Sequence, residues 1–90
     1  MFTIYGYDEH IHKCVPCINA KRLLATKKKE FEFISVVISK DKNGPVFDDG
    51  VILTLLDKLN RDTKIGLTMP QIFEGEDYIG GFTELREYLK

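Results

Sequence analysis

Lys13-Cys14-Val15-Pro16-Cys17, K-C-V-P-C, holds both cysteines of the 90-residue chain. Such a pair has three ordinary uses: half of a metal site, a structural disulfide, or a catalytic dithiol. What stands on either side decides among them, and decides the fold as well. Upstream, Phe2-Thr3-Ile4-Tyr5 is a short β-prone run closed by Gly6. Downstream, Ile18, Ala20, Leu23 and Leu24 recur at helical spacing, with Asn19, Lys21 and Arg22 on other faces. This helix is expected from Val15 to about Lys28. Phe31 to Ile38 is rich in aromatic and β-branched residues and reads as one mostly buried strand. The cysteines therefore sit inside a βαβ unit, between its first strand and its helix. Such a unit requires parallel strands and a right-handed crossover.

The rest of the chain continues the pattern. Ser39 to Pro45 carries Asn43, Gly44 and Pro45 and reads as a loop. Asp48 or Asp49 caps a second helix, whose apolar face is Ile52, Leu55, Leu56 and Leu59, with Val51 alongside. Asn60 to Thr68 is a polar connection leading to Met69-Pro70. Gln71-Ile72-Phe73 and Tyr78-Ile79 flank a turn and form a hairpin. Gly80-Gly81 opens a last helix with Phe82, Leu85 and Leu89 on one face. The order is β-α-β-α-β-β-α, an α/β fold with residues 1–90 as one domain.

Bulk composition narrows the function. The chain is 43% hydrophobic and 30% charged, with 13 basic and 14 acidic residues and a net charge of −1. That is globular composition, with no field that favours nucleic acid or a membrane surface. Lys27-Lys28-Lys29, followed at once by acids, reads as a solvated helix end. No apolar run approaches the roughly 20 residues of a transmembrane helix. The start has neither a basic region nor a long apolar one, so no signal peptide is expected. These readings point to the cytoplasm, where thiols stay reduced and a close cysteine pair is catalytic or metal-binding.

The position of the pair favours catalysis. Cys14 falls at the helix N-cap, where free backbone amides stabilise a thiolate over a thiol. Lys13 adds a positive charge. A lowered thiol pKa is what attack on a disulfide requires. Pro16 is tolerated in a first helical turn. Cys14 is thus the expected attacker and Cys17, one turn in, the resolver, working through a mixed disulfide. The metal alternative rests on His10 and His12, which make H-x-H-x-C-x-x-C with the cysteines. Structural zinc sites normally draw a second ligand pair from a distant segment, and no other histidine or cysteine exists. No metal site is therefore expected.

Two more elements join the dithiol. Met69-Pro70 opens a strand that faces it in a thioredoxin-like layout. An X-Pro bond is where a cis peptide costs little. Met69 backbone groups exposed there would pair with an extended peptide. Gly80-Gly81 lets a ligand approach the backbone, and the amides of the following helix, with the Thr83 hydroxyl, can hold a carboxylate. Tyr7 is a candidate rim residue of the site, with simple packing as the alternative. His12 is a candidate for tuning the thiolate or binding a ligand, with an exposed loop histidine as the alternative.

Taken together these residues resemble the glutaredoxins, and most closely the short glutaredoxins of large tailed bacteriophages. The likeness runs through YGYD at Tyr5 to Asp8, IHKCVPC at Ile11 to Cys17, and NAKRLL at Asn19 to Leu24. It continues in FDD at Phe47 to Asp49, IGLTMPQIF at Ile65 to Phe73, and the IGGF and LREYLK stretches from Ile79 to Lys90. It implies a thioredoxin fold with a four-stranded mixed sheet flanked by helices. It also implies a dithiol oxidoreductase that reduces protein disulfides, with ribonucleotide reductase as a client. Glutathione would be the co-substrate, with thioredoxin reductase as another source of electrons and no cofactor bound. A monomer is implied, in the host cytoplasm for a phage-encoded protein. By this likeness Cys14 is the nucleophile, Cys17 the resolving thiol, and Met69-Pro70 the docking edge. Gly81, Phe82 and Thr83 hold the γ-glutamyl end of glutathione, and His12, Lys13 or Lys64 its glycine carboxylate. Three positions depart from the usual pattern. Val15-Pro16 replaces Pro-Tyr, Thr83 stands where an Asp is common, and Ile11 where a basic residue often sits. Some family members hold an iron–sulfur cluster through one cysteine each, the alternative use of Cys14.

Overall fold

The computed structural model describes residues 1–90. In chain order the elements are β1 (Phe2–Gly6), α1 (Val15–Thr26), β2 (Phe31–Ser35), β3 (Val37–Asp41) and β4 (Gly44–Phe47). Then come α2 (Asp49–Leu59), β5 (Gln71–Glu74), β6 (Asp77–Gly80) and α3 (Phe82–Tyr88). Four strands form the main sheet in the order β2-β1-β5-β6. β2 runs parallel to β1, while β5 is antiparallel to β1 and β6 to β5. The mixed four-stranded sheet of the thioredoxin fold is therefore present.

Apolar side chains alternate across this sheet because strand residues point to opposite faces. Phe2, Ile4 and Ile72 meet Ala20 and Leu24 of α1 and Leu85 of α3. Tyr5 and Phe73 face the other way and meet Ile52, Leu55 and Leu56 of α2. Burying Ile4, Leu24, Leu55, Ile72 and Leu85 completely stabilises the layers by about 1.5–3 kcal/mol per side chain.

The helix ends follow their capping residues. Asp48 caps α2 by accepting the Val51 amide, and Asn60 ends it in the left-handed conformation at φ 56°. The first helix stops at Thr26, two residues before the expected Lys28, which takes a positive φ of 57°. The β5–β6 turn has two residues, and Gly75 supplies its positive φ of 60°.

The expected strand from Phe31 to Ile38 is a correction. It breaks at Ser35-Val36 into β2 and β3, and the segment read as a loop is half of a hairpin. The Ser35 hydroxyl accepts the Val37 amide and donates to the Val37 carbonyl, which turns the chain. Val36 keeps the β1 register by donating to the Gly6 carbonyl. β3 then leaves the sheet and pairs with β4 around Lys42-Asn43, with Gly44 at φ 115°. Ile38, expected to be buried, is 60% exposed as a result.

The chain ends lie together. The Gly75 amide donates to the Met1 carbonyl, and Tyr88 packs edge-on against Phe2 with ring centroids 6.2 Å apart. The Tyr88 hydroxyl donates to Glu74. No helix is long and apolar enough to cross a membrane.

Candidate functional site

β1 ends at Gly6 and the chain enters a tight loop. Asp8 organises it: its carbonyl accepts the Ile11 and His12 amides, and its carboxylate accepts the His10 amide at 2.9 Å. The loop delivers Cys14 to the N-cap of α1, where its φ of −139° is extended. The Cys14 sulfur accepts the Cys17 amide at 3.3 Å. This is the capping bond a Ser or Asp would make, formed by sulfur, and it aims a helix N-terminus at that atom.

Cys14 and Cys17 are joined in a disulfide. Their environments differ. Cys17 is fully buried, while Cys14 keeps 8% exposure at the surface end of the pair. Val15 and Pro16 between them stand out into solvent. A Cβ built on Gly6 would lie 2.8 Å from the Cys17 sulfur and 3.2 Å from the Phe33 ring. Gly6 is thus the floor on which Cys17 rests.

The other expected elements meet at the same end of the sheet. Tyr5 pairs with Gln71 across β1 and β5, and one residue further along that register Pro70 comes beside Gly6. Met69-Pro70 is cis and Pro70 is buried. Met69 makes no backbone hydrogen bond within the chain. A Cβ on Gly81 would lie 3.6 Å from the Pro70 carbonyl, so the Gly-Gly turn abuts the proline. Gly81 is the N-cap of α3, and its amide donates to Glu84 at 2.8 Å. Thr83 is exposed in the first turn. The dithiol, Met69-Pro70 and Gly81 thus lie at the same end of the sheet.

Tyr7 stacks edge-on with His12 at 4.9 Å and tilts against Phe47 at 6.3 Å, so it sits beside the dithiol loop. His12 is half-buried, and its Nδ1 is buried without a partner. Lys13 is exposed and makes no ion pair. No three His, Cys, Asp or Glu side chains converge where they could hold a metal ion.

Sequence reasoning missed the supporting residues. Gly6 looked like a strand end, and its use as a floor depends on a partner eleven positions away. Asp8 was legible in principle, since an Asp before a turn takes amides two residues on. Gln71, next to Pro70, is buried, donating to the Thr68 carbonyl and accepting the Tyr78 hydroxyl.

No protein-family model matches the chain. The glutaredoxin of Enterobacteria phage T4 is 59% identical over 91 residues, covering all of both chains. Glutaredoxin 1 of Francisella tularensis, solved with cacodylate, superposes with a TM-score of 0.62 at 26% identity. That match covers 98% of this chain and 90% of the other. The buckwheat glutaredoxin–glutathione complex shares the fold, with a TM-score of 0.65 at 19% identity, covering 98% of this chain and 66% of that one. Full-length identity at this level, on a fold that carries its cysteine pair at a helix N-terminus, means that the chain belongs to the glutaredoxin family of thiol-disulfide oxidoreductases.

Proposed function

We propose that the protein reduces protein disulfides by a two-cysteine cycle. The Cys14 thiolate attacks one sulfur of the client disulfide. The other client sulfur leaves and takes a proton. Cys17, deprotonated, then attacks the Cys14 sulfur of the mixed disulfide. The second client thiol departs, and Cys14–Cys17 forms. Two electrons pass from the dithiol to the client. Met69 pairs with the client backbone while this happens.

The observation that carries this reading is the asymmetry of the pair. Cys14, at a helix N-terminus, keeps 8% exposure, and Cys17 behind it keeps none. On this reading the sulfur that reaches solvent meets the client, and the enclosed one makes the intramolecular attack.

Recharging uses two glutathione molecules, the first joined to Cys14 and the second releasing glutathione disulfide. Gly81, Phe82 and Thr83 take the γ-glutamyl end, and His12, Lys13 or Lys64 the glycine carboxylate. Thioredoxin reductase is the other donor, acting directly on Cys14–Cys17. The main client is ribonucleotide reductase, and the setting is the cytoplasm, that of the host for a phage protein. The Glu84 carboxylate already holds the Gly81 amide. A glutathione carboxylate must therefore use the next amides of the turn.

A coupled assay tests both donors. Oxidised protein receives glutathione with glutathione reductase or, separately, bacterial thioredoxin reductase, and NADPH consumption is followed. Turnover with glutathione supports the Gly-Gly-Phe-Thr subsite, and turnover with thioredoxin reductase alone removes it. Cys14→Ser should abolish all exchange. Cys17→Ser should retain only monothiol chemistry on glutathione mixed disulfides. Activity surviving in Cys14→Ser would reverse the assignment of attacker and resolver.

A further inference from the structure

A concavity of about 240 Å³ adjoins the Met69 edge. Four separate parts of the chain build it, with Ile52 of α2 at its back. Tyr7 comes from the loop after β1, Phe47 from the inserted hairpin, and Ile65 and Leu67 from the segment before Met69. Lys64 is the one charged residue in the lining.

Ile65 is 81% exposed, yet its backbone is held. The Arg61 guanidinium donates to its carbonyl at 2.8 Å, and its amide donates to the Thr63 hydroxyl at 3.2 Å. An isoleucine fixed in water gains free energy when covered, with little ordering cost. The Lys64 ammonium lies 4.5 Å from the Phe47 ring centroid and has no carboxylate partner. An anion beside it would meet an unpaired positive charge held at the mouth of the groove. Met69 lines the groove with its side chain while its backbone N–H and carbonyl stay unpaired.

These observations specify the occupant. Unpaired backbone groups call for an extended chain, whose alternate side chains fall on one face. The apolar walls call for a large apolar side chain on that face. Lys64 calls for a carboxylate next to it. Glutathione carries no apolar side chain of this size, so the groove suits a polypeptide. On the disulfide-reductase reading above, we propose that the groove selects protein clients. It takes a large aliphatic or aromatic residue close to the client cysteine and sets a neighbouring Asp or Glu against Lys64.

The test uses pre-reduced protein and four disulfide-bonded peptides that differ only in two residues flanking the attacked cysteine: Leu-Asp, Ala-Asp, Leu-Lys and Ala-Lys. Second-order rate constants are read by acid quench and thiol alkylation. Leu-Asp should react about tenfold faster than Ala-Asp, the size of effect one filled apolar pocket gives, and Ala-Lys should be the slowest of the four. Ile65→Ser should erase the Leu-over-Ala preference, and Lys64→Glu should reverse Asp over Lys. Both side chains are exposed, and circular dichroism verifies that the variants stay folded. Equal rates for the four peptides would overturn the proposal, as would a preference that survives both substitutions. No exchange with any peptide would overturn the reductase reading itself, and this proposal with it.

Discussion

Gly6 has no side chain because Cys17 occupies the space. A methyl group there would lie 2.8 Å from the sulfur and press on Phe33. Gly6→Ala should therefore cost about 1–3 kcal/mol, the usual effect of overpacking a filled site. Urea unfolding measures it. The loss should shrink in a Cys17→Ala background, where the sulfur is gone, and an equal loss in both backgrounds would refute the contact. Tyr78 gives a second prediction. Burial raises its pKa above 10.0, the Glu84 charge adds to this, and Arg61 opposes it. The folded state then holds its proton longer than the unfolded state. The stabilisation is complete below 10.0 and is lost as pH rises through the higher folded value. Tyr78→Phe should flatten the alkaline fall of unfolding free energy. At this scale the cysteines, Met69-Pro70 and Gly81 were legible in the sequence because local chemistry announces them. Gly6, Phe47 and Ile65 were not, since each acquires its use from residues far away in the chain.

At the scale of elements, helical spacing located all three helices, and β-prone composition with turn residues located every strand of the main sheet. The β3–β4 hairpin escaped it. Phe31 to Ile38 runs without Gly or Pro, and nothing in its apolar pattern marks a break. One serine hydroxyl makes the turn. Asp41-Lys42-Asn43-Gly44 is a hairpin signal as well as a loop signal, and Asp41 accepts the Asn43 amide within it. Gly44→Ala should cost about 1 kcal/mol or more, although its new methyl would touch nothing, because φ 115° excludes other residues. The hairpin carries Phe47, so this variant also asks whether the groove needs a rigid wall. Asp48→Ala removes the cap of α2 and should cost about 1 kcal/mol in thermal or urea unfolding.

The main sheet has a core on each face. Leu24 anchors the α1–α3 side and Leu55 the α2 side. β1 and β5 contribute to both, through Ile4 and Tyr5, Ile72 and Phe73. Leu24→Ala and Leu55→Ala should each cost about 2–5 kcal/mol. Each should lower a single transition seen alike by far-UV and near-UV circular dichroism. Two transitions would mean that the faces unfold separately. The same sheet separates the sulfurs from the chain ends. Met1 is bound beside the β5–β6 turn and Tyr88 against Phe2, while the dithiol loop leaves the far end of β1. Five strand residues put roughly 16 Å between those ends. A tether at either terminus therefore points away from the chemistry. Coupled to an electrode or fused to a second protein through Met1 or Lys90, the molecule would stand with its sulfurs facing outward, open to whatever arrives from solution.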